Sequence, residues 1–153
     1  AKLFGIRGPV ILYTESRASR PADPLRRAGA EVVILDAVTP ETVLADLHAR
    51  EVRSVLVEGG PTVAGSFLRQ GLIERVEAHL APALFGGASA PAAIGGEGIA
   101  LLRGALKLDL RGVRRLGRDL QILAFRAGLL AALAKRLTPG TLQKKEPVIT
   151  EST

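Results

Sequence analysis

The stretch Val55-Leu56-Val57-Glu58-Gly59-Gly60-Pro61-Thr62 constrains the fold more than any other part of the chain. Alternate side chains of a strand point to opposite faces, so a run that is apolar at successive positions reads as a strand buried on both sides. Two glycines end the run, and a helical pattern starts at once, with Pro61 suited to a first helical turn. A buried strand passing straight into a helix is the repeating unit of a parallel α/β sheet with right-handed crossovers.

The residues before it repeat the unit. Pro9-Val10-Ile11-Leu12-Tyr13-Thr14 is one apolar strand and Glu31-Val32-Val33-Ile34-Leu35 a second. Between them Asp23-Pro24 and Gly29 bracket a short helix, with a cap residue, a proline and a glycine terminator. Thr39-Pro40 opens another helix by the same cap-then-proline logic, and Val43, Leu44 and Leu47 give it one apolar face to about Arg50. Ser54-Val55-Leu56-Val57-Glu58 is the third strand. The helix after it covers residues 63–70, with Phe67 and Leu68 inward, and Gly71 stops it.

Beyond Gly71 the period changes. Arg75-Val76-Glu77-Ala78-His79-Leu80 alternates polar and apolar, as a strand with one wetter face does. Residues 83–98 are rich in Gly, Ala and Pro and read as a long loop. Leu106-Lys107-Leu108-Asp109-Leu110 and Asp119-Leu120-Gln121-Ile122-Leu123-Ala124-Phe125 alternate again, and the segment between them, with Gly112 and Gly117, suits a hairpin. The expected architecture is therefore α/β, a mainly parallel central sheet flanked by helices with an antiparallel C-terminal hairpin. From Ala127 the character shifts once more. Residues 128–137 pattern as a short amphipathic helix, Thr138-Pro139-Gly140 breaks it, and residues 143–153 are polar and read as loose.

Composition narrows the chemistry. Without a cysteine there is no disulfide, thiolate metal site or cysteine nucleophile, and the two histidines, His48 and His79, lie in no cluster of metal-ligand spacing. No metal site is expected. A cysteine-free chain suits a reducing compartment, and the expected location is cytoplasmic. No apolar run reaches the length of a membrane span, and the opening residues do not read as a signal peptide. The net charge of +6 suits a phosphorylated small molecule, a nucleic acid or a membrane surface. The arginines are scattered and only 3% of residues are aromatic, so no nucleic-acid partner is expected, and no membrane partner either.

Glycines without Cβ let a ligand approach the backbone, and the helix behind them offers first-turn N–H groups and a positive dipole end. Phosphate or pyrophosphate needs both. The position, at the carboxyl end of a buried strand, is where open α/β sheets bind ligands. Neither the dinucleotide fingerprint GxGxxG nor the P-loop pattern is present. On this stretch alone a tight turn is the commoner reason for two such glycines, and Pro61 fits it as a helix-start residue.

The wider window is more specific. Residues 57–68, followed by Gly71-Leu72-Ile73-Glu74, Leu80-Ala81-Pro82 and Phe85-Gly86-Gly87, and later by Leu116-Gly117-Arg118-Asp119-Leu120, resemble the reductase domain of the bifunctional riboflavin-biosynthesis deaminase/reductase, whose fold is similar to dihydrofolate reductase. The resemblance covers about residues 2–125, and a partial reductase domain is placed over 1–126, with a helix and tail over 127–153.

That resemblance implies NADPH-dependent reduction of the ribose of 5-amino-6-(5-phosphoribosylamino)uracil to the ribityl form, by a homodimer that binds this phosphorylated pyrimidine. It implies that Gly59, Gly60, Pro61 and Thr62 hold the cofactor pyrophosphate and that Glu58 faces the substrate. Thr14, Ser16 and Arg17 would lie at the adenosine end, with Ser16 and Arg17, assisted by Arg20, suited to a 2′-phosphate. Plainer roles exist for several of them. Glu58 suits a turn cap, Ser16 a turn, Arg17 a solvated charge and Thr62 a cap on its own helix. His79 reads as a structural or surface residue, and no proton donor is identified.

Three departures from the family matter. Arg75 stands where the family carries an acidic residue. The tail after Arg126 is not part of the pattern. The family's opening strand, helix and second strand, which precede the equivalent of Lys2, have no match, nor does the zinc deaminase half. The expectation is that the chain alone is a poor reductase. The competing expectation is a non-catalytic nucleotide-binding α/β fragment acting through assembly.

Overall fold

The computed structural model describes residues 8–15, 23–87, 89–137 and 148–150. They fall into two compact units, Ala1–Val57 and Glu58–Thr153.

The first unit pairs two strands, β1 (Val10–Glu15) and β2 (Ala30–Leu35), in parallel, with Val10 opposite Ala30 and Glu15 opposite Leu35. Their Val and Ile content suits the pleated surface. The connection carries helix α1 (Asp23–Arg27), where Asp23 accepts from Arg26 at 2.9 Å. Helix α2 (Pro40–Ala49) starts at the expected residues. Thr39 caps it, accepting the Thr42 N–H at 3.3 Å, while the Thr42 hydroxyl oxygen accepts the Thr39 N–H at 3.0 Å. The reciprocal pair satisfies two first-turn donors, with Thr in the place that Glu or Gln usually takes.

One expected element differs. Residues 54–58, read as a third strand, have no ladder partner among the described residues. Val55, Leu56 and Val57 are 44%, 80% and 37% exposed. Apolar β-branched content fits a strand to a sheet interior, but the strand exists only when a neighbouring edge takes up its N–H and C=O groups.

The second unit holds helix α3 (Gly60–Arg69), strand β3 (Arg75–Leu80), a 3-10 turn (Leu102–Gly104), strands β4 (Leu108–Leu116) and β5 (Asp119–Arg126), helix α4 (Leu129–Leu137) and strand β6 (Val148–Thr150). Helix α3 begins at Gly60, before the expected start at Val63. The strands form one sheet in the order β3-β5-β4-β6. β5 is antiparallel to both neighbours; its pairing with β4 is the expected C-terminal hairpin, with a register slip between Leu110 and Gly112, while β3, counted with the parallel half in the sequence, joins this antiparallel sheet. Ala124 of β5 is buried on one face and Gln121 on the other. The tail carries one element more than its polarity suggested. Val148, Ile149 and Thr150, all β-branched, pair in parallel with Gly112, Val113 and Arg114 on the β4 edge. No helix among the described residues is long and apolar enough to cross a membrane.

Candidate functional site

The turn into α3 is built from the residues that the sequence singles out. Gly59 is the N-cap, with φ −85° and ψ 69°, and no side chain caps the helix. Gly60 follows at φ +55°, a left-handed conformation that glycine adopts without a Cβ penalty. Its amide donates to the Glu58 carbonyl at 3.1 Å, which folds the chain back on itself. Pro61 lies in the first turn, where its missing N–H costs nothing.

The result is an open, polar-backbone surface. Glu58, Gly59, Gly60, Pro61 and Thr62 are all exposed, and a Cβ added to Gly60 would meet nothing within 4 Å. The first turn carries no acidic side chain. The positive end of the ten-residue helix α3 is thus neutralised neither by a cap nor by a carboxylate of its own first turn. A phosphate group fits this chemistry: space at Gly60, amide donors, and the Thr62 hydroxyl beside them.

The other candidates lie in the first unit. Thr14 is on β1 opposite Ile34, half-buried, with its hydroxyl 3.4 Å from the Glu15 carbonyl oxygen. Ser16, Arg17 and Arg20 lie outside the described residues. The structure therefore assembles residues 58–62 around one turn and describes Thr14 separately in its own unit.

A model of the RibD C-terminal domain matches residues 5–122. The chain belongs to this family. Among its relatives, a 2,5-diamino-6-ribosylamino-4(3H)-pyrimidinone 5′-phosphate reductase of Aquifex aeolicus is 31% identical over 106 residues, which cover 67% of this chain and 47% of the relative. The reductase of the same name from Methanothermobacter thermautotrophicus is 34% identical over 113 residues, covering 72% and 52%. The riboflavin biosynthesis protein RibD of Mycobacterium tuberculosis is 38% identical over 112 residues, covering 73% and 32%. The chain thus spans about half the length of the separate reductases and about a third of that RibD protein.

Solved structures agree on the fold of this RibD-family chain. RibD of Acinetobacter baumannii superposes with a TM-score of 0.63 at 24% identity, over 77% of this chain and 31% of that one. A pyrimidine reductase-like protein of Corynebacterium diphtheriae gives 0.62 at 21% identity, over 76% and 49%.

Two features of the second unit escaped the sequence reading. Gly95, in the long loop, donates its amide to the Pro61 carbonyl at 2.9 Å. The loop therefore reaches the first turn of α3. A glycine inside the helix, Gly65, was the available sign that something packs close there.

The second feature is a polar network on one face of the sheet. The buried Gln121 accepts from Arg114 Nε and donates to Glu77 Oε1, and its amide nitrogen lies 3.2 Å from His79 Nε2. Arg75, the position that departs from the family, donates to Glu77 at 2.8 Å. The Arg75 guanidinium, then His79, hold the Glu77 carboxyl below its ordinary range. Glu77 is the carboxylate that the sequence reading did not assign to His79. Both are 3.4 Å apart and exposed, so the histidine remains a surface residue. Arg75, Glu77, Arg114 and Gln121 also line a groove of about 340 Å³. Their polar atoms partner one another, which suits a solvated sheet face.

Proposed function

We propose that the chain is the cofactor-binding part of a reductase in riboflavin biosynthesis. The reaction is NADPH-dependent reduction of the ribose of a phosphorylated ribosylaminopyrimidine, 5-amino-6-(5-phosphoribosylamino)uracil, to its ribityl form. The observation that carries this reading is the start of α3 at Gly59 and Gly60, with neither a side-chain cap nor an acidic residue in its first turn, in a RibD-family chain. The reductase names of the Aquifex and Methanothermobacter relatives support the substrate class. The proposed setting is a cytoplasmic homodimer.

When bound, NADPH supplies a hydride, two electrons and one hydrogen nucleus, to C1 of the opened sugar, and one proton completes the reduction. The chain's own part is to bind and orient. The first-turn amides of α3 and the Thr62 hydroxyl hold the pyrophosphate against the dipole end. Gly60 leaves room for phosphate oxygens beside the backbone. Glu58 is exposed at the same turn and holds a polar group of the substrate. Thr14, Ser16 and Arg17 take the adenosine end, where a guanidinium pairs with the 2′-phosphate and selects NADPH over NADH.

Titration of the chain with NADPH and with NADH, followed by fluorescence or calorimetry, tests the reading. Saturable binding that favours NADPH and weakens in Gly60→Asp is expected. Absence of binding at millimolar cofactor would overturn it.

A second reading, a non-catalytic nucleotide-binding fragment that works through assembly, is favoured by one observation. Val55, Leu56 and Val57 form an apolar run with no ladder partner among the described residues. An exposed apolar run of this kind invites pairing with another chain. Size in solution decides: a monomer at micromolar concentration rejects assembly through this run.

A further inference from the structure

We propose that Gly95 is a positioning residue for cofactor phosphate, acting through Pro61, and that Gly65 is glycine so that Gly95 can reach it. The inference rests on the reading of the α3 turn as the pyrophosphate site.

Three contacts define the arrangement. The Gly95 amide donates to the Pro61 carbonyl at 2.9 Å. Gly65 is the buried residue of α3, and a Cβ built on it would lie 2.0 Å from the Gly95 carbonyl oxygen and 2.9 Å from its carbon. A Cβ on Gly95 would in turn come within 3.1 Å of Pro61 Cβ. The loop backbone is therefore laid directly on the helix backbone, with no side chain between them.

The physical purpose follows from what the helix start lacks. A helix N-terminus is ordinarily fixed by a side chain that accepts its first-turn N–H groups. Such a cap would use up the donors that a phosphate needs. The α3 start has no such cap and has glycine at Gly59 and Gly60, the residue type with most backbone freedom. Left alone it would be a loose turn, and ordering it would subtract from cofactor affinity. The Gly95 contact holds the same turn through a carbonyl. It immobilises Pro61 and takes up no N–H of the first turn, where the Gly60 amide already donates to the Glu58 carbonyl and the Thr62 amide has no side-chain cap. Glycine at 65 makes the helix less stable than alanine would, which is what the close approach of the loop costs it.

Two variants of the full chain test this with NADPH as the probe. In Gly65→Ala the new methyl group overlaps the Gly95 carbonyl, so the loop must lift. In Gly95→Ala the neighbour needs to yield by only a few tenths of an ångström. Affinity for NADPH is expected to fall about tenfold or more in Gly65→Ala and less in Gly95→Ala, with far-UV circular dichroism unchanged. A purely structural contact would lower Tm and leave the affinity of the folded protein unaltered. Hydrogen exchange on the unmodified chain supplies a readout that needs no variant to fold: NADPH should slow exchange at the Gly95 amide. Unmodified chain that binds NADPH, with variants that bind equally well or a Gly95 amide that exchanges no more slowly, overturns the inference and spares the cofactor reading. Unmodified chain that does not bind NADPH overturns both.

Discussion

Tyr13 of β1 donates its hydroxyl hydrogen to Asp46 Oδ2 of α2 at 2.8 Å, and so ties the helix to the parallel strand pair. Arg50 donates to the same oxygen at 2.6 Å and to Glu31 of β2 at 2.8 Å. Four side chains from two strands and the end of one helix thus form a single network. It holds together a unit in which, among the described residues, Ala30 is the one that is buried.

The first prediction concerns alkaline pH. Burial, then the hydrogen bond to Asp46, pushes the Tyr13 hydroxyl up to about 12. The unfolded chain releases that proton near pH 10 and the folded chain retains it, so between about pH 10 and 12 the folded state binds more protons. Stability must fall as pH rises through this window. Tyr13→Phe should lose a few degrees of Tm at neutral pH, the effect of one net hydrogen bond, and lose this share of the alkaline fall. Thermal melts of both chains at pH 8 and pH 11 measure it. Equal alkaline slopes would count against the Tyr13–Asp46 bond.

The acid limb has the opposite sign. The Tyr13 bond, then the Arg50 bond, lowers the Asp46 carboxyl, and the Arg50 bond lowers Glu31. Below about pH 4 the unfolded chain takes up protons before the folded one, so stability falls as pH drops through the folded values. Arg50→Met removes both ion pairs. Its stability should be lower at neutral pH and should change less between pH 5 and pH 3 than that of the parent. A parallel pair of pH curves would show that Arg50 sets neither carboxyl.

These local devices also show what the sequence made legible. Thr39-Pro40 located the start of α2, and the alternation in 75–80 and 119–125 located β3 and β5, because caps and pleat periodicity are local physics. The Gly59-Gly60-Pro61 turn was legible for the same reason. The strand at 54–58 was not settled by its residues, since a ladder depends on a neighbour that no local pattern records. The Gly95 contact joins residues far apart in sequence, and nothing in 83–98 distinguishes a docked loop from a free one. Val148–Thr150 was hidden by polar flanks although its own residues are β-branched.

Thr62 separates capping from ligand binding. The helix has no side-chain cap, and Thr62 is exposed in its first turn. Thr62→Ala should leave Tm unchanged or slightly raised, since alanine has the better helix propensity. NADPH affinity should drop severalfold through loss of one hydroxyl–phosphate bond. A fall in Tm with unchanged affinity would assign the hydroxyl to the helix instead.

Leu56 is 80% exposed within a run whose neighbours, Val55 and Val57, are also exposed. A large apolar side chain in water contributes nothing to the monomer, whereas burial of the same group against another surface is worth about 1.5–3 kcal/mol. Leu56→Lys should therefore leave the stability of a monomer nearly unaltered and weaken any self-association, because a charge on an unpaired edge opposes further pairing. Sedimentation of parent and variant over a range of concentrations gives the answer. A parent that associates and a variant that stays monomeric would place the 54–58 segment in the contact between copies. Equal association would move that contact elsewhere and leave Leu56 a solvent-exposed residue, while a monomeric parent would show that the run is tolerated uncovered.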